Sequence, residues 1–358
     1  MVSELLSPAE VLAVNLVLAG FDAWLLHRIR RHRAPKLVFT GLLAGFSLTG
    51  ILALGLMLVG SSTAFGVMQL LCWALFLHGP VVILASALWI PTLRPALVLP
   101  LLSTLLAGEV FLREPKALSV TELELPMPGL QEPLTLLLIA DLQTDQVGAY
   151  ERQALAQIQA LQPDYLLWAG DYVQVYDPQG YEEERAALNA ELLDLTTPGL
   201  AVGGDIDGLG RWPEVFSGTQ TRALTQSETV DLGPIVVTGL TLADSRSAAP
   251  PVPTVHKPHV VLGHAPDFAL AHPDAELLLA GHTHGGQIQI PGVGPLMTLS
   301  KVPRDWASGV TQIHPESTLV VSRGVGLERA DAPRIRLFCT PELVLIRLVP
   351  APQEPAPL

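Results

Sequence analysis

Apolar residues run along this chain in two different rhythms. Over the first third they form long unbroken stretches, and from Leu37 to Leu93 there is no Asp, Glu, Lys or Arg. A soluble fold rarely tolerates such a gap, whereas a helix crossing a bilayer needs about 17–25 predominantly apolar residues. The pattern predicts four spans, at about 9–27, 37–60, 67–90 and 96–112, the last being the shortest, with Pro95 and Pro100 near its start. Several spans in succession describe an anchor rather than a cleaved signal. Residues 1–113 are therefore expected to be an all-α transmembrane region.

Beyond Arg113 the apolar runs shorten to strand length and alternate with amphipathic stretches. Strands are predicted at Leu134–Ala140, Asp164–Ala169, Leu200–Gly203, Ile235–Gly239, Val260–Leu262, Leu277–Ala280, Thr318–Ser322 and Leu343–Leu348. Helices are predicted at Gln153–Leu161 and near Tyr181–Leu195. Strands alternating with helices, followed by further strands, indicate a layered α/β domain over 114–349. Ala248–Pro258 reads as an irregular loop, and the proline-rich tail 350–358 as disordered.

Composition sharpens this division. The chain has 358 residues, 49% of them hydrophobic, and a mean hydropathy of +0.40. Residues 1–113 carry a net charge of +3, so of the total of −13 the remainder holds −16. So acidic a domain is a poor partner for phosphate backbones, and nucleic acid is not expected. The bilayer is the expected partner of the first part. Arg28, Arg30, Arg31, Arg33 and Lys36 lie between spans one and two, and Arg94 between spans three and four. Basic loops stay cytoplasmic, so Glu4, Glu10 and the domain fall on the outer side if all four spans cross. Should the fourth span only dip into the bilayer, the domain would be cytoplasmic. Cys72 lies in the third span and Cys339 in the domain, so no disulfide is expected between them.

The chemistry sits at the strand ends. Successive apolar runs end at Asp141, Asp171, Asp205 and His264, and the last leads into Gly281-His282-Thr283-His284-Gly285-Gly286-Gln287. Each aspartate taken alone suits a turn or a helix cap. Open α/β sheets, however, gather ligands outside the carboxyl ends of their strands. Three carboxylates and three imidazoles gathered there would suit one or two divalent transition metals.

At these residues the chain resembles the calcineurin-like metallophosphoesterases, in particular their membrane-attached bacterial branch. The matching stretches are Ile139–Gln143, Ala169–Asp171, Gly204–Asp207, Leu262–Asp267 and Gly281–Gln287, with a later block at Ser322–Gly326 and Pro333–Leu343. The resemblance covers 130–348 and none of the spans. It implies a β-sandwich flanked by helices, a metal-dependent phosphoric ester or anhydride hydrolase, and a bacterial inner-membrane location. It also implies a dinuclear site, with Asp141, Gln143, Asp171 and His284 on the first metal. Asp171 would bridge to a second metal held by Asp205, His264 and His282.

Three positions depart from the family pattern. Gln143 stands where the family has histidine, Asp205 where it has asparagine, and Ile206 where it has a histidine that assists the leaving group. Two oxygen donors harden the shell, favouring Mn²⁺, with Fe, Mg²⁺ or Zn²⁺ as further candidates. Isoleucine can donate no proton, and general-acid help is typically worth ~10²–10⁴-fold. Asp145, Asp207 and His259 are candidate replacements, although turn and surface roles suit them equally. A phosphoanhydride, such as a nucleotide diphosphate-linked lipid, would need little such help. Arg323 and Tyr172 are candidate substrate contacts, with an ion pair and core packing as the competing roles; Trp212 has the same two options as Tyr172. His256 and His272 have no evident role. Two readings stand: a membrane-anchored hydrolase of a phosphorylated small molecule or lipid, and a catalytically weak metal- or phosphate-binding sensor. A transporter is disfavoured because His78 is the main polar group in the spans.

Overall fold

The fold is that of a computed structural model, which describes residues 6–207 and 210–352. Glu4 and the tail beyond residue 352 lie outside the described residues. The chain divides into two compact units. One comprises the residues up to Arg113 together with Glu328–Arg334, the other Glu114–Leu327 and the residues from Ile335 onward.

The first unit is helical. α1 (Pro8–His32) begins at a capping box in which Ser7 and Glu10 satisfy each other's backbone amides, with Pro8 preset for the first turn. α2 (Pro35–Leu58) follows after a left-handed Arg33. α3 (Ala64–Trp73) and α4 (Gly79–Trp89) form one rod joined by a π turn at Ala74–His78. Pro80 explains that widened turn, because it cannot supply the amide that a regular helix would need there. α5 (Val98–Ala107) is preceded by a 3₁₀ stretch, Pro91–Leu97, containing Pro95. Four helical stretches, Pro8–His32, Pro35–Leu58, Ala64–Trp89 and Pro91–Lys116, are long and apolar enough to cross a membrane. His78 joins the third of them to the first: its Nδ1 lies 2.6 Å from Asp22 Oδ2 and its Nε2 3.0 Å from Asn15 Oδ1. Within the same unit, Asp331 of the 328–334 segment accepts hydrogen bonds from the Thr63 amide (3.2 Å) and hydroxyl (2.9 Å) at the start of α3.

The second unit is a β-sandwich with its two long helices on one face. Its strands are β1 (Ser119–Met127), β2 (Leu134–Ile139), β3 (Tyr165–Trp168), β4 (Gly199–Ala201), β5 (Thr221–Ala223), β6 (Glu228–Asp231) and β7 (Val236–Gly239). They continue with β8 (His259–Leu262), β9 (Leu277–Ala280), the short β10 (Gln289–Ile290) and β11 (Gly294–Pro295), β12 (Gly309–His314), β13 (Ser317–Val321) and β14 (Glu342–Pro350). One sheet has the order β1-β14-β2-β3-β4-β5 and the other β12-β13-β9-β8-β7-β6. Side-chain alternation divides the core. Leu136, Leu138, Leu167 and Leu200 point inward to meet Val237, Val260, Leu262 and Leu279 of the second sheet. Leu137, Ile139, Leu166 and Trp168 point outward beneath α6 (Ala149–Leu161) and α7 (Pro178–Leu192). A four-residue helix, α8 (Leu242–Ser245), follows β7. β14 extends to Pro350, the first residue of the expected tail. β2, β3, β4, β8 and β9 release their C-terminal ends toward one region, which is where the candidate ligands lie.

Candidate metal centre

The backbone at these strand ends is held in an unusual state. Among the described residues twelve non-glycine positions have positive φ, and five of them are Asp141, Gln143, Asp171, His282 and His284. A left-handed conformation is costly for a side chain that carries Cβ, and it persists only where the surroundings enforce it. Here the enforcement is a set of backbone bonds between the loops. The Asp141 amide donates to the Gly170 carbonyl (3.0 Å) and the Gln143 amide to the Asp171 carbonyl (2.9 Å). The His282 amide donates to both carboxylate oxygens of Asp141 at 3.0 Å. Gly281 permits this approach, since a Cβ there would stand 2.7 Å from Asp141 Oδ2.

The side chains then converge. His264 Nε2 lies 3.4 Å from Asp171 Oδ2 and 3.3 Å from Asp205 Oδ2, and His282 Nδ1 lies 2.9 Å from Asp205 Oδ2. Asp205, His264 and His282 form one group whose potential ligand atoms lie within 4.8 Å of one another, and Asp141, Asp171 and His264 form a second. His264 belongs to both. All are buried except Asp205, which remains partly open to solvent. Gln143 and His284 are buried in the adjoining turns, and His284 lies outside these two groups.

A divalent metal fits this donor set. His264 Nδ1 lies 2.7 Å from the Ala169 carbonyl, and His282 Nε2 3.1 Å from the Leu299 carbonyl. Each ring can donate its proton there, leaving the opposite nitrogen aimed into the cluster, the arrangement that orients metal-binding imidazoles. His264 Nε2 and both ring nitrogens of His284 are buried with no hydrogen-bond partner. Leaving such atoms unsatisfied is expensive unless a ligand completes them.

The proton balance points the same way. Burial, opposed by His264 and His282, raises Asp141 to about 6. Burial also lifts Asp171 well above the usual carboxylate range, helped by the neighbouring Asp207, Asp141 and Asp205. For His264 burial disfavours the charged ring, but Asp171, Asp205 and Asp141 outweigh it and lift the imidazole to about 10. Asp205 is held far below the usual range by His264 and His282 despite its burial. Burial, reinforced by Arg336, His282 and His264, keeps His284 neutral. Without metal, protons compensate a surplus of buried carboxylate, which is the charge that a divalent ion would otherwise neutralise.

The remaining expected site residues have different surroundings. Asp207 is buried and accepts from the amides of Asp171 (2.8 Å), Tyr172 (3.2 Å) and Gly204 (2.8 Å). It therefore clamps two ligand-bearing loops together. His259 opens β8, at the opposite end of that strand from His264, and pairs with Thr238 Oγ1 (2.7 Å) and the Asp274 carbonyl (3.1 Å). Asp145 is half-buried in the bend after Thr144. Tyr172 is buried, directs its hydroxyl to the Val202 carbonyl (2.6 Å) and stacks on Trp212. Arg323 pairs with Glu342 at 2.6 Å. Ile206 donates its amide to Asp171 Oδ1 at 3.0 Å.

Two arginines were not singled out from the sequence, although Arg336 lies within the matching block Pro333–Leu343. Arg246, which follows α8, places Nη2 2.6 Å from Asp205 Oδ2 and stays partly exposed at the rim of the cluster. Arg336 is wholly buried and donates to the carbonyls of Arg323 (2.7 Å), Gly326 (2.6 Å) and Cys339 (2.9 Å). It fixes the Gly324–Gly326 turn, whose Gly326 amide bonds the Asp141 carbonyl at 2.7 Å.

No protein-family model matches the chain. It is 25% identical over 249 residues to the metallophosphoesterase Cj0846 of Campylobacter jejuni, covering 65% of this chain and 64% of that protein. It is 38% identical over 95 residues to the metallophosphoesterase YkuE of Bacillus subtilis, covering 25% of this chain and 30% of that one. Phosphodiesterase YaeI of Escherichia coli is 34% identical over 102 residues, 28% of this chain and 36% of that protein. These relatives support the resemblance to the calcineurin-like metallophosphoesterases. In each case the match spans less than two thirds of the relative's length. For this family the sandwich and the strand-end cluster are the expected framework, and divalent metals the expected cofactors.

Proposed function

We propose that the chain is a membrane-anchored, metal-dependent hydrolase of a phosphoester or phosphoanhydride. The observation that carries this reading is the convergence of Asp141, Asp171, Asp205, His264 and His282 at five strand ends, with two imidazoles oriented by backbone carbonyls. Bound at these residues, two divalent ions, Mn²⁺ first among them, would supply a hydroxide nucleophile and charge neutralisation for an in-line attack. Asp141, Gln143, Asp171 and His284 would hold one ion, and Asp205, His264 and His282 the other, with Asp171 between them.

The chain's own residues do the rest. Asp207 and Arg336 fix the loops that present the ligands. Arg246 supplies a permanent cation at the partly open Asp205 edge, where a phosphoryl oxygen can meet it. That contact stabilises charge without transferring a proton, which suits a site with Ile206 in place of histidine. A leaving group that needs little protonation, as in a phosphoanhydride, would suit the same geometry. The four apolar helices support an anchor in a bacterial inner membrane. The basic loops support an extracytoplasmic domain and a substrate presented at the bilayer surface, with a phosphorylated or diphosphate-linked lipid as the natural class.

Ile206 and the engagement of Asp207 with three amides also favour a second reading, a metal-binding sensor with weak turnover. The full chain, loaded with Mn²⁺ in detergent, separates the two when assayed on an activated phosphodiester, a phosphomonoester and a diphosphate lipid. Turnover of any of them that vanishes in Asp171→Ala supports the hydrolase. Bound metal with no turnover on all three sinks it.

A further inference from the structure

One stretch of the second unit departs from its acidic surroundings: from Leu277 to Ser300 there is no Asp, Glu, Lys or Arg. The stretch begins as the buried strand β9 and the histidine turn, but its later part is exposed. The β10–β11 hairpin turns at Pro291-Gly292, where Gly292 takes the positive φ of a type II turn and the Val293 amide donates to the Ile290 carbonyl (2.9 Å). Around that turn Ile290, Val293, Leu296 and Leu299 are 40–59% exposed, and Phe338 is 62% exposed. Phe338 is tied to the hairpin through Leu337, which pairs with Ile288. The Leu337 amide donates to the Gln287 carbonyl and the Gln289 amide to the Leu337 carbonyl, both at 2.9 Å. Leu299 and Phe338 also hold left-handed backbones, with φ of 52° and 53°. Bulky residues keep that state only under constraint, so both are fixed with their apolar side chains exposed.

Exposed apolar patches mark contacts with protein or with membrane. Two observations select the membrane. The Cys339 amide, next to Phe338, donates to Glu114 Oε1 at 2.5 Å, and Glu114 lies at the end of the fourth apolar stretch, Pro91–Lys116. A surface tied to the last turn of a membrane-crossing stretch is held near the depth where hydrocarbon meets water. The missing charge from Leu277 to Ser300 is also what that depth demands, since a charged side chain in hydrocarbon is costly. We propose that the β10–β11 hairpin and Phe338 form a bilayer-contacting surface of the second unit, with Val293 and Phe338 among lipid acyl chains. The proposal rests on the membrane-anchored reading above and adds a contact apart from the four apolar stretches. The same surface flanks the metal centre. The Leu299 carbonyl lies 3.1 Å from His282 Nε2, and Cys339 Sγ donates to the His284 carbonyl at 3.1 Å. A lipid-borne phosphate would thus reach the metal ligands while its chains stay in the bilayer.

The test uses the full chain in phosphatidylcholine nanodiscs with EDTA present, so that turnover plays no part and failure of the hydrolase reading would leave the result standing. In a Cys72→Ser background, Val293→Cys and Phe338→Cys would each carry the environment-sensitive fluorophore NBD, the buried Cys339 staying unlabelled. Leu54→Cys, exposed on α2, reports the anchor. Glu132→Cys, exposed just before β2 at the end of that strand remote from the metal centre, reports the aqueous side. Lipid carrying a doxyl quencher on its acyl chain should quench residues 293 and 338 as it quenches residue 54, leaving residue 132 bright. Ile290→Asp combined with Leu296→Asp should abolish the quenching at residue 293. Phe338→Cys serves if the hairpin variant does not fold. Quenching at residue 54 but not at 293 and 338 would overturn the proposal and leave the anchor intact. Blue-shifted emission at residue 293 without doxyl quenching would also overturn it, since a second copy or another protein would then cover the surface. No quenching at residue 54 would reject the anchor and the proposal together.

Discussion

At the level of single residues, the site combines expensive features that make sense only together. Asp141, Asp171 and His282 hold left-handed backbones, and His264 and His284 bury ring nitrogens that make no hydrogen bond. Gly281→Ala should act on metal and on the sheet beneath it together. Its Cβ would stand 2.5 Å from the buried Ala140 Cβ and 2.7 Å from Asp141 Oδ2, so metal affinity should fall and the melting temperature of the metal-free protein should fall with it, as isothermal titration and calorimetry would report. Arg246→Gln should lower kcat about 10²-fold, the usual cost of removing one transition-state donor, with bound metal unchanged. Loss of metal together with rate would instead make Arg246 a residue that positions Asp205. The aspartates and histidines were readable because each ends an apolar run. Arg246 was not, because α8 and a short link separate it from β7 and no periodicity marks it.

At the level of elements, what the sequence revealed depends on burial. The central strands β2, β3, β8, β9 and β13 are apolar runs covered on both faces, and all were expected within a few residues. The strands not anticipated include β1, β5, β6 and β12, which are the four sheet edges. Edge strands alternate exposed and half-buried positions and carry charge, as in Glu122 and Glu124 of β1, so their composition resembles a loop. Their pairing comes from neighbours distant in sequence, which no local pattern announces. The inner-facing leucines are the complementary case. Leu138→Ala should destabilise the second unit by about 2–5 kcal/mol, measured as a shift in chemical denaturation midpoint. A cost well below that range would contradict the packing of the two sheets.

For the whole molecule, charge connects the site to its surroundings. The acidic second part of the chain holds its buried carboxylates with protons when no metal is present, and metal loading must expel them. Asp141 is raised to about 6 and His264 to about 10, so both carry more proton below those values than a metal-bound site allows. The sign follows directly: apparent metal affinity should rise with pH between 6 and 8, about tenfold per unit for each proton released. A dissociation constant independent of pH would contradict this. The four apolar helices were legible from length and the absence of charge, whereas the 328–334 segment that joins their unit was not, since it lies far along the chain. A reporter fused after Arg113 should appear outside the cytoplasm, and cytoplasmic signal would reverse the orientation proposed here.

The central claim is that five strand ends build one metal-dependent hydrolytic site. Metal content by mass spectrometry, measured beside phosphodiester turnover in the wild type, Asp171→Ala and His282→Ala full chains, tests it most directly. Bound divalent metal and turnover in the wild type, with both lost in the folded variants, is the predicted result. Unchanged metal content in both variants would contradict it.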